Sequence, residues 1–171
     1  MNATATPTKI PVVTLAKVEY NERFSQETNC FSADVLVDGV PIGRVGNSGT
    51  GGGDDYFPFS VCDRLDEIAK MMPLLYPEEK WENNAELLVG VIFADWLANR
   101  DLKRALKKKV VFTTAEGKIF TATGFKGDEL AQLLAKGEAV LKAEFPKAVK
   151  ILNLLPYEEA LAAYKAGTAR A

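Results

Sequence analysis

Residues 46–58, GNSGTGGGDDYFP, bring five glycines, two adjacent aspartates and an aromatic pair into thirteen positions. Glycine backbone between a strand and a helix can turn its N–H groups onto a phosphate. Gly49, Gly51 and Gly52 are the candidate contacts. The stretch has no lysine, however, and fits neither the phosphate-loop nor the dinucleotide fingerprint. Asp54 and Asp55 would repel a phosphate unless a cation bridged them. As ligands for a hard cation they are adjacent, so their carboxylates need not converge, and the spacing of a calcium loop is absent. Tyr56 completes the set of candidate ligand-binding residues. The favoured reading is structural. The glycines let the chain turn sharply while Tyr56, Phe57 and Phe59 pack under the next helix.

Three further sets of residues could do chemistry. Asp95 interrupts the apolar run GVIFADWLA. Buried there it would have a raised pKa and could act as an acid or base; otherwise it faces solvent or pairs with Arg100, Lys103 or a capped backbone. Lys103, Arg104, Lys107, Lys108 and Lys109 put five cations into seven residues, a candidate docking surface for a charged partner. Cations also collect at helix C-termini because of the dipole. No aromatic residue is interleaved with these, so base stacking has no platform and nucleic acid is not the expected partner. Cys30 and Cys62 have no metal-type spacing and read as small core residues, with one disulfide allowed but not required.

The absence of histidine narrows the chemistry most sharply. It removes Ser-His-Asp and Cys-His catalysis and histidine-ligated zinc. An enzyme built on this chain would depend on carboxylates, lysine, tyrosine or an unassisted cysteine. The reading leans away from an enzyme, and no cofactor is expected.

Length and composition suit one globular domain of 171 residues, with a formal charge of −2. The charge is uneven: residues 1–85 carry 7 basic and 13 acidic groups, and residues 86–171 carry 14 and 10. No apolar run reaches membrane-spanning length, since Glu86 and Asp95 break the longest. The start of the chain has no signal-type apolar core. The expectation is a soluble protein of the host cytoplasm with reduced thiols and no membrane partner. Its oligomeric state is open.

These residues must be positioned by hairpins and helices. Residues 12–20 and 30–37 alternate as half-buried strands. Asp38-Gly39 predicts a tight turn into a third strand over VPIGRVG. Pro41 should place that strand at an edge, or start it beyond the proline. After the glycine loop, Ser60 and Asp63 form a capping pattern. Val61, Leu65, Ile68 and Met72 then give one apolar stripe, ended by Pro73. PLLYPEEKWEN is a loop. Asn83 and Glu86 form a second capping pattern, opening a helix apolar almost all round through Leu97; NRDLKRALKKK continues or restarts it. A second hairpin turns at Glu116-Gly117. One helix from Asp128 through Leu141, a short strand at AVKILN and a helix opened by Pro156 complete the chain. The order β-β-β-α-α-β-β-α-β-α predicts an α+β fold: a largely antiparallel sheet of hairpins packed on a central buried helix. Residues 1–11 read as a flexible arm and 167–171 as a flexible tail. Between them lies a single domain, 12–166, with a subdivision conceivable near 110.

Two blocks carry a resemblance. SQETNCFSADVLVDGVPIGRVGNSGTGGGDDYFP is similar to a pattern of small uncharacterised phage and prophage proteins. The pattern is S-x-E-T-x-C-F-x-A, then V-D-G, then N-x-G-x-G-G-x-D-D-Y-x-P. The matching residues are Ser25, Glu27, Thr28, Cys30, Phe31, Ala33, Asp38, Gly39, Asn47, Gly49, Gly51, Gly52, Asp54, Asp55, Tyr56 and Pro58. ILNLLPYEEALAAY also resembles such proteins. Where they often carry histidine or cysteine in the loop, this chain has Thr50, Gly53 and Phe57, so no metal or nucleophile is expected there. The resemblance implies a mobile-element origin. From that origin follows the expectation of a non-enzymatic accessory protein that binds a host protein and inhibits a defence system such as CRISPR-Cas. The alternative is a nucleotide- or phosphate-binding protein that uses loop 46–53.

Overall fold

A computed structural model describes residues 9–168, and most of the expected arm and tail lies outside them. The fold is α+β. The chain divides into two compact units, one ending at Phe93 and the other beginning at Ala94. The first unit, through Phe93, carries 7 basic and 14 acidic side chains, and the second carries 14 and 9, so the charge asymmetry follows the unit boundary.

In the first unit, β1 (Val13–Tyr20), β2 (Phe31–Val37), β3 (Val40–Asn47) and β4 (Asp55–Phe57) form an antiparallel sheet in that spatial order. Alternation sorts the faces. Phe31, Ala33, Val35 and Val45 are buried, while Ser32, Asp34 and Leu36 lie partly open between them. The β2–β3 turn is made as its sequence predicts, with Asp38 at φ 49° and Gly39 at φ 81°.

β4 is an addition to the expected order. It pairs only with Arg44–Gly46, so at Pro41 β3 is still an edge, and the proline deprives no neighbour of a hydrogen bond. The register between β2 and β3 also shifts there, between Val35 and Leu36.

Helix α1 (Ser60–Lys70) buries Val61, Leu65, Ile68 and Ala69. The expected Ser60 cap is not made: Phe59 takes the capping position without a side-chain bond. Helix α2 (Ala85–Leu106) is continuous through Asn99. Its first half buries Ala85, Leu88, Val89 and Phe93, with the Phe93 ring stacked on Phe31 at 4.2 Å between centroids. It is less buried than its composition predicts, because Gly90 and Asp95 are exposed and Val91, Ile92 and Trp96 are only half-buried. The expected Asn83 cap is corrected by one residue. Asn84 Oδ1 accepts from Leu87 N at 2.8 Å, and Asp66 of α1 accepts from Ala85 N at 2.6 Å.

The second unit contains a three-stranded antiparallel sheet in the order β6 (Ile119–Ala122), β5 (Val110–Thr113), β7 (Lys150–Ile151). Leu102 of α2 packs with Val111, Leu152, Ala160 and Leu161. Val110, Phe112, Leu130, Leu141, Ala148 and Ile151 make another cluster. The single helix expected from Asp128 is two, α3 (Glu129–Ala135) and α4 (Glu138–Glu144). Gly137 between them sits at φ 86°, which a continuous helix cannot accommodate. Helix α5 (Tyr157–Thr168) closes the fold, with Glu158 and Glu159 in its first turn.

Candidate functional site

The glycine loop runs from the end of β3 to β4; Asn47 and Asp54 turn into it, while Ser48, Thr50 and Asp55 are exposed. Asn47 is 8% exposed. Its Oδ1 accepts from Thr28 Oγ1 at 2.6 Å and from Gly49 N at 2.9 Å. Its Nδ2 donates to Asp54 Oδ1 at 3.0 Å and, at longer range, to the Gly52 and Gly53 carbonyls. Buried polar groups need such partners, and the amide of Asn47 uses both its ends.

The 21–30 connection closes on the same loop. The Gly49 carbonyl accepts from Gln26 N, Glu27 N and Thr28 N, and Gly51 N donates to Thr28 Oγ1 at 3.4 Å. Ser25 Oγ accepts from Cys30 N at 2.9 Å and donates to the Asn21 carbonyl. The two halves of the N-terminal sequence block, separated in the chain by the β2–β3 hairpin, therefore meet as one hydrogen-bonded unit.

The glycines answer to different demands. Gly49, Gly51 and Gly52 all hold positive φ, at 84°, 88° and 95°. A Cβ on Gly49 would overlap the Phe24 carbonyl oxygen and press on Cys30 Cβ. On Gly51 it would meet the Glu27 carboxylate, and on Gly52 it would meet nothing within 4 Å.

The electrostatics do not favour an anion. Burial is the largest influence raising the Asp54 pKa; Glu86 and Asp55 raise it further and the Asn47 bond opposes them. Asp55 is exposed. Burial also raises the Tyr56 phenol, with Asp54, Cys62, Glu86 and Asp66 adding to the effect. The Tyr56 hydroxyl is buried without a hydrogen-bond partner. Cys62 is raised too, first by burial and then by Asp66, Asp63 and Glu86, which opposes a reactive thiolate. Cys30 and Cys62 are both free and half-buried. Among the described residues no three His, Cys, Asp or Glu side chains are grouped so as to hold a metal.

Only one of the three rings expected under α1 packs inward. Tyr56 faces the core side of the sheet opposite Val45, whereas Phe57 is 76% and Phe59 72% exposed. The reason is the pleat: Tyr56 and Phe57 are consecutive in β4 and must face opposite sides. Phe59 precedes the helix rather than lying along its buried stripe.

The remaining candidates lie in the second unit. Asp95 is exposed and pairs with Lys165 Nζ at 2.7 Å, a cation that the sequence did not suggest. Lys103, Arg104, Lys107 and Lys108 are exposed and Lys109 is half-buried. Lys103 Nζ stands 5.3 Å from the centre of the Tyr157 ring. Asn153 was not singled out by sequence. Its Oδ1 accepts from Val111 N at 2.8 Å and its Nδ2 donates to the Lys109 carbonyl at 2.9 Å, tying the end of α2 to β5. Among the described residues no helix is long and apolar enough to cross a membrane. Compared with protein families, curated proteins and solved structures, the chain finds no match.

Proposed function

We propose that this chain is a non-enzymatic accessory protein of a phage or mobile element and acts by binding a host protein. The expected class of target is a defence effector such as a CRISPR-Cas nuclease, which it would inhibit by occlusion. Origin and target class rest on the sequence resemblance. The binding role follows from that origin, and one observation supports its non-enzymatic character: Asn47 bonds to Thr28, to Asp54 and to the loop backbone, leaving the most distinctive motif in the chain as a brace. A catalytic or ligating set would instead present converging groups to solvent.

The phosphate-binding alternative finds little support in the same geometry. Gly49 N and Gly51 N already donate within the protein, and Glu27, Asp54, Asp55 and Glu86 surround the loop with negative charge. The test is affinity purification of the intact chain from host lysate, with mass spectrometry of both protein and small molecules. One specific host protein at near-equal stoichiometry is the expected result. Co-purified nucleotide with no protein would transfer support to the alternative.

A further inference from the structure

Between α1 and α2, residues 71–84 form a loop that exposes large apolar side chains on a fixed base. Met71 is 39%, Leu74 47%, Tyr76 40% and Trp81 51% exposed. A floppy loop with these residues would collapse onto the nearest apolar surface. This one is clamped. Asn83 is 5% exposed, and its Nδ2 donates to the carbonyls of Ala69 at 3.1 Å, Met72 at 3.2 Å and Pro73 at 2.8 Å. Its Oδ1 accepts from Leu75 N at 2.8 Å. One buried amide thus fixes both ends of the loop.

The tip is shaped by its own backbone. The Tyr76 carbonyl accepts from Glu79 N and Lys80 N, both at 3.2 Å, and Lys80 takes a left-handed φ of 56°. That turn returns Trp81 to Tyr76, and the two rings meet at 5.8 Å with an interplanar angle of 56°. Closed loops of this kind, packed on their own side chains, are often functional. Exposed Trp and Tyr on a pre-ordered frame are the residues that most often anchor protein interfaces, because little entropy is lost on docking.

The charge around the rings selects the occupant. Glu78, Glu79 and Glu82 are exposed beside them and only Lys80 opposes. The whole first unit carries twice as many acidic as basic side chains, 14 against 7. Nucleic acid and anionic membranes would be repelled. We infer that the 71–84 loop is the docking element, and that it inserts Tyr76 and Trp81 into an apolar cleft rimmed by lysine and arginine on the partner protein. This deepens the proposed function and rests on it.

The test uses the full chain and the host protein it captures, with affinity measured by biolayer interferometry over a salt series. Trp81→Ser and Tyr76→Ser are each expected to weaken binding by at least about tenfold. The triple variant Glu78→Lys, Glu79→Lys, Glu82→Lys should lower the association rate most strongly at low salt. Gln132→Ala, at an exposed and uncharged position on α3 of the second unit, serves as the control and should bind as the parent does. All the replaced side chains are exposed, and unchanged circular dichroism and melting temperature will verify folding. A photo-crosslinking phenylalanine in place of Tyr76 should label a partner segment containing lysine or arginine.

Affinities within twofold of the parent in both ring variants would overturn the inference while leaving the binding role intact. So would a crosslink to a second copy of this chain or to nucleic acid. If the parent captures no protein, inference and function fall together.

Discussion

Alanine substitutions at three loop glycines should separate backbone strain from close packing. Gly52 at φ 95° has open space where a Cβ would point, so Gly52→Ala meets only the left-handed backbone. That costs about 1–2 kcal/mol. Gly51→Ala adds contact with the Glu27 carboxylate 2.5 Å away, but this is the free end of a long side chain that can swing aside. Its cost should stay near that of Gly52→Ala. Gly49→Ala drives a methyl into the Phe24 backbone carbonyl and against Cys30 Cβ. Neither yields without moving the 21–30 segment, whose Gln26, Glu27 and Thr28 N–H groups bond to the Gly49 carbonyl. Overpacking adds about 1–3 kcal/mol, for a total of about 2–5 kcal/mol. Urea unfolding followed by circular dichroism, with slopes compared between variants, gives each value. A cost for Gly52→Ala equal to or above that of Gly49→Ala would refute the packing argument.

Asp54→Asn should stabilise the protein at neutral pH, since Asn can still accept the Asn47 bond. A raised folded pKa means that the fold favours protonated Asp54; this contribution is present at low pH and is lost as the pH rises through the folded value. Melting temperatures of parent and variant should therefore converge as the pH falls into the ordinary carboxylate range, and a gap that widens there would be contrary. Leu102→Ala, at a fully buried site, should cost about 2–5 kcal/mol, and Trp96→Ala, only half-buried, clearly less than the roughly 3–5 kcal/mol of a core tryptophan; denaturant midpoints decide the order. The basic cluster at 103–109 should bind duplex DNA no more tightly than about 10⁻⁴ to 10⁻⁶ M at physiological salt, and fluorescence anisotropy showing a salt-resistant nanomolar complex would contradict that.

Much of the fold was legible because local rules and tertiary packing agree. Asp38-Gly39 turned where its φ preference requires, and Glu116-Gly117 lies at the turn between β5 and β6. The buried stripe Val61, Leu65, Ile68 follows helical spacing. The differences arise where long-range partners decide. β4 is three residues long and exists because β3 offers Arg44–Gly46 as an edge, which no local pattern encodes. Asn83 read as the cap from its spacing to Glu86, but the helix uses Asn84 because Asn83 is drawn inward by the carbonyls of Ala69, Met72 and Pro73. The glycine loop was visible as a feature, but its tie to Thr28 was not, since nineteen residues separate Thr28 from Asn47. Phe57 and Phe59 read as core by composition, and the pleat and the helix start turn them outward.

Loop 46–58 is braced from within, and a loop so braced should act as a structural element and bind no ligand. Thermal unfolding of the parent and of the double variant Asp54→Asn, Asp55→Asn, each with and without about 1 mM Mg²⁺, Ca²⁺, inorganic phosphate or ATP, tests it most directly. A ligand present at a hundred times its dissociation constant adds about 2.7 kcal/mol, roughly 5–10 °C for a chain of this size. No ligand-dependent shift is expected in either protein, and the double variant should be at least as stable as the parent at neutral pH. A rise of several degrees in the parent with any one of these ligands, abolished in the double variant, would contradict it.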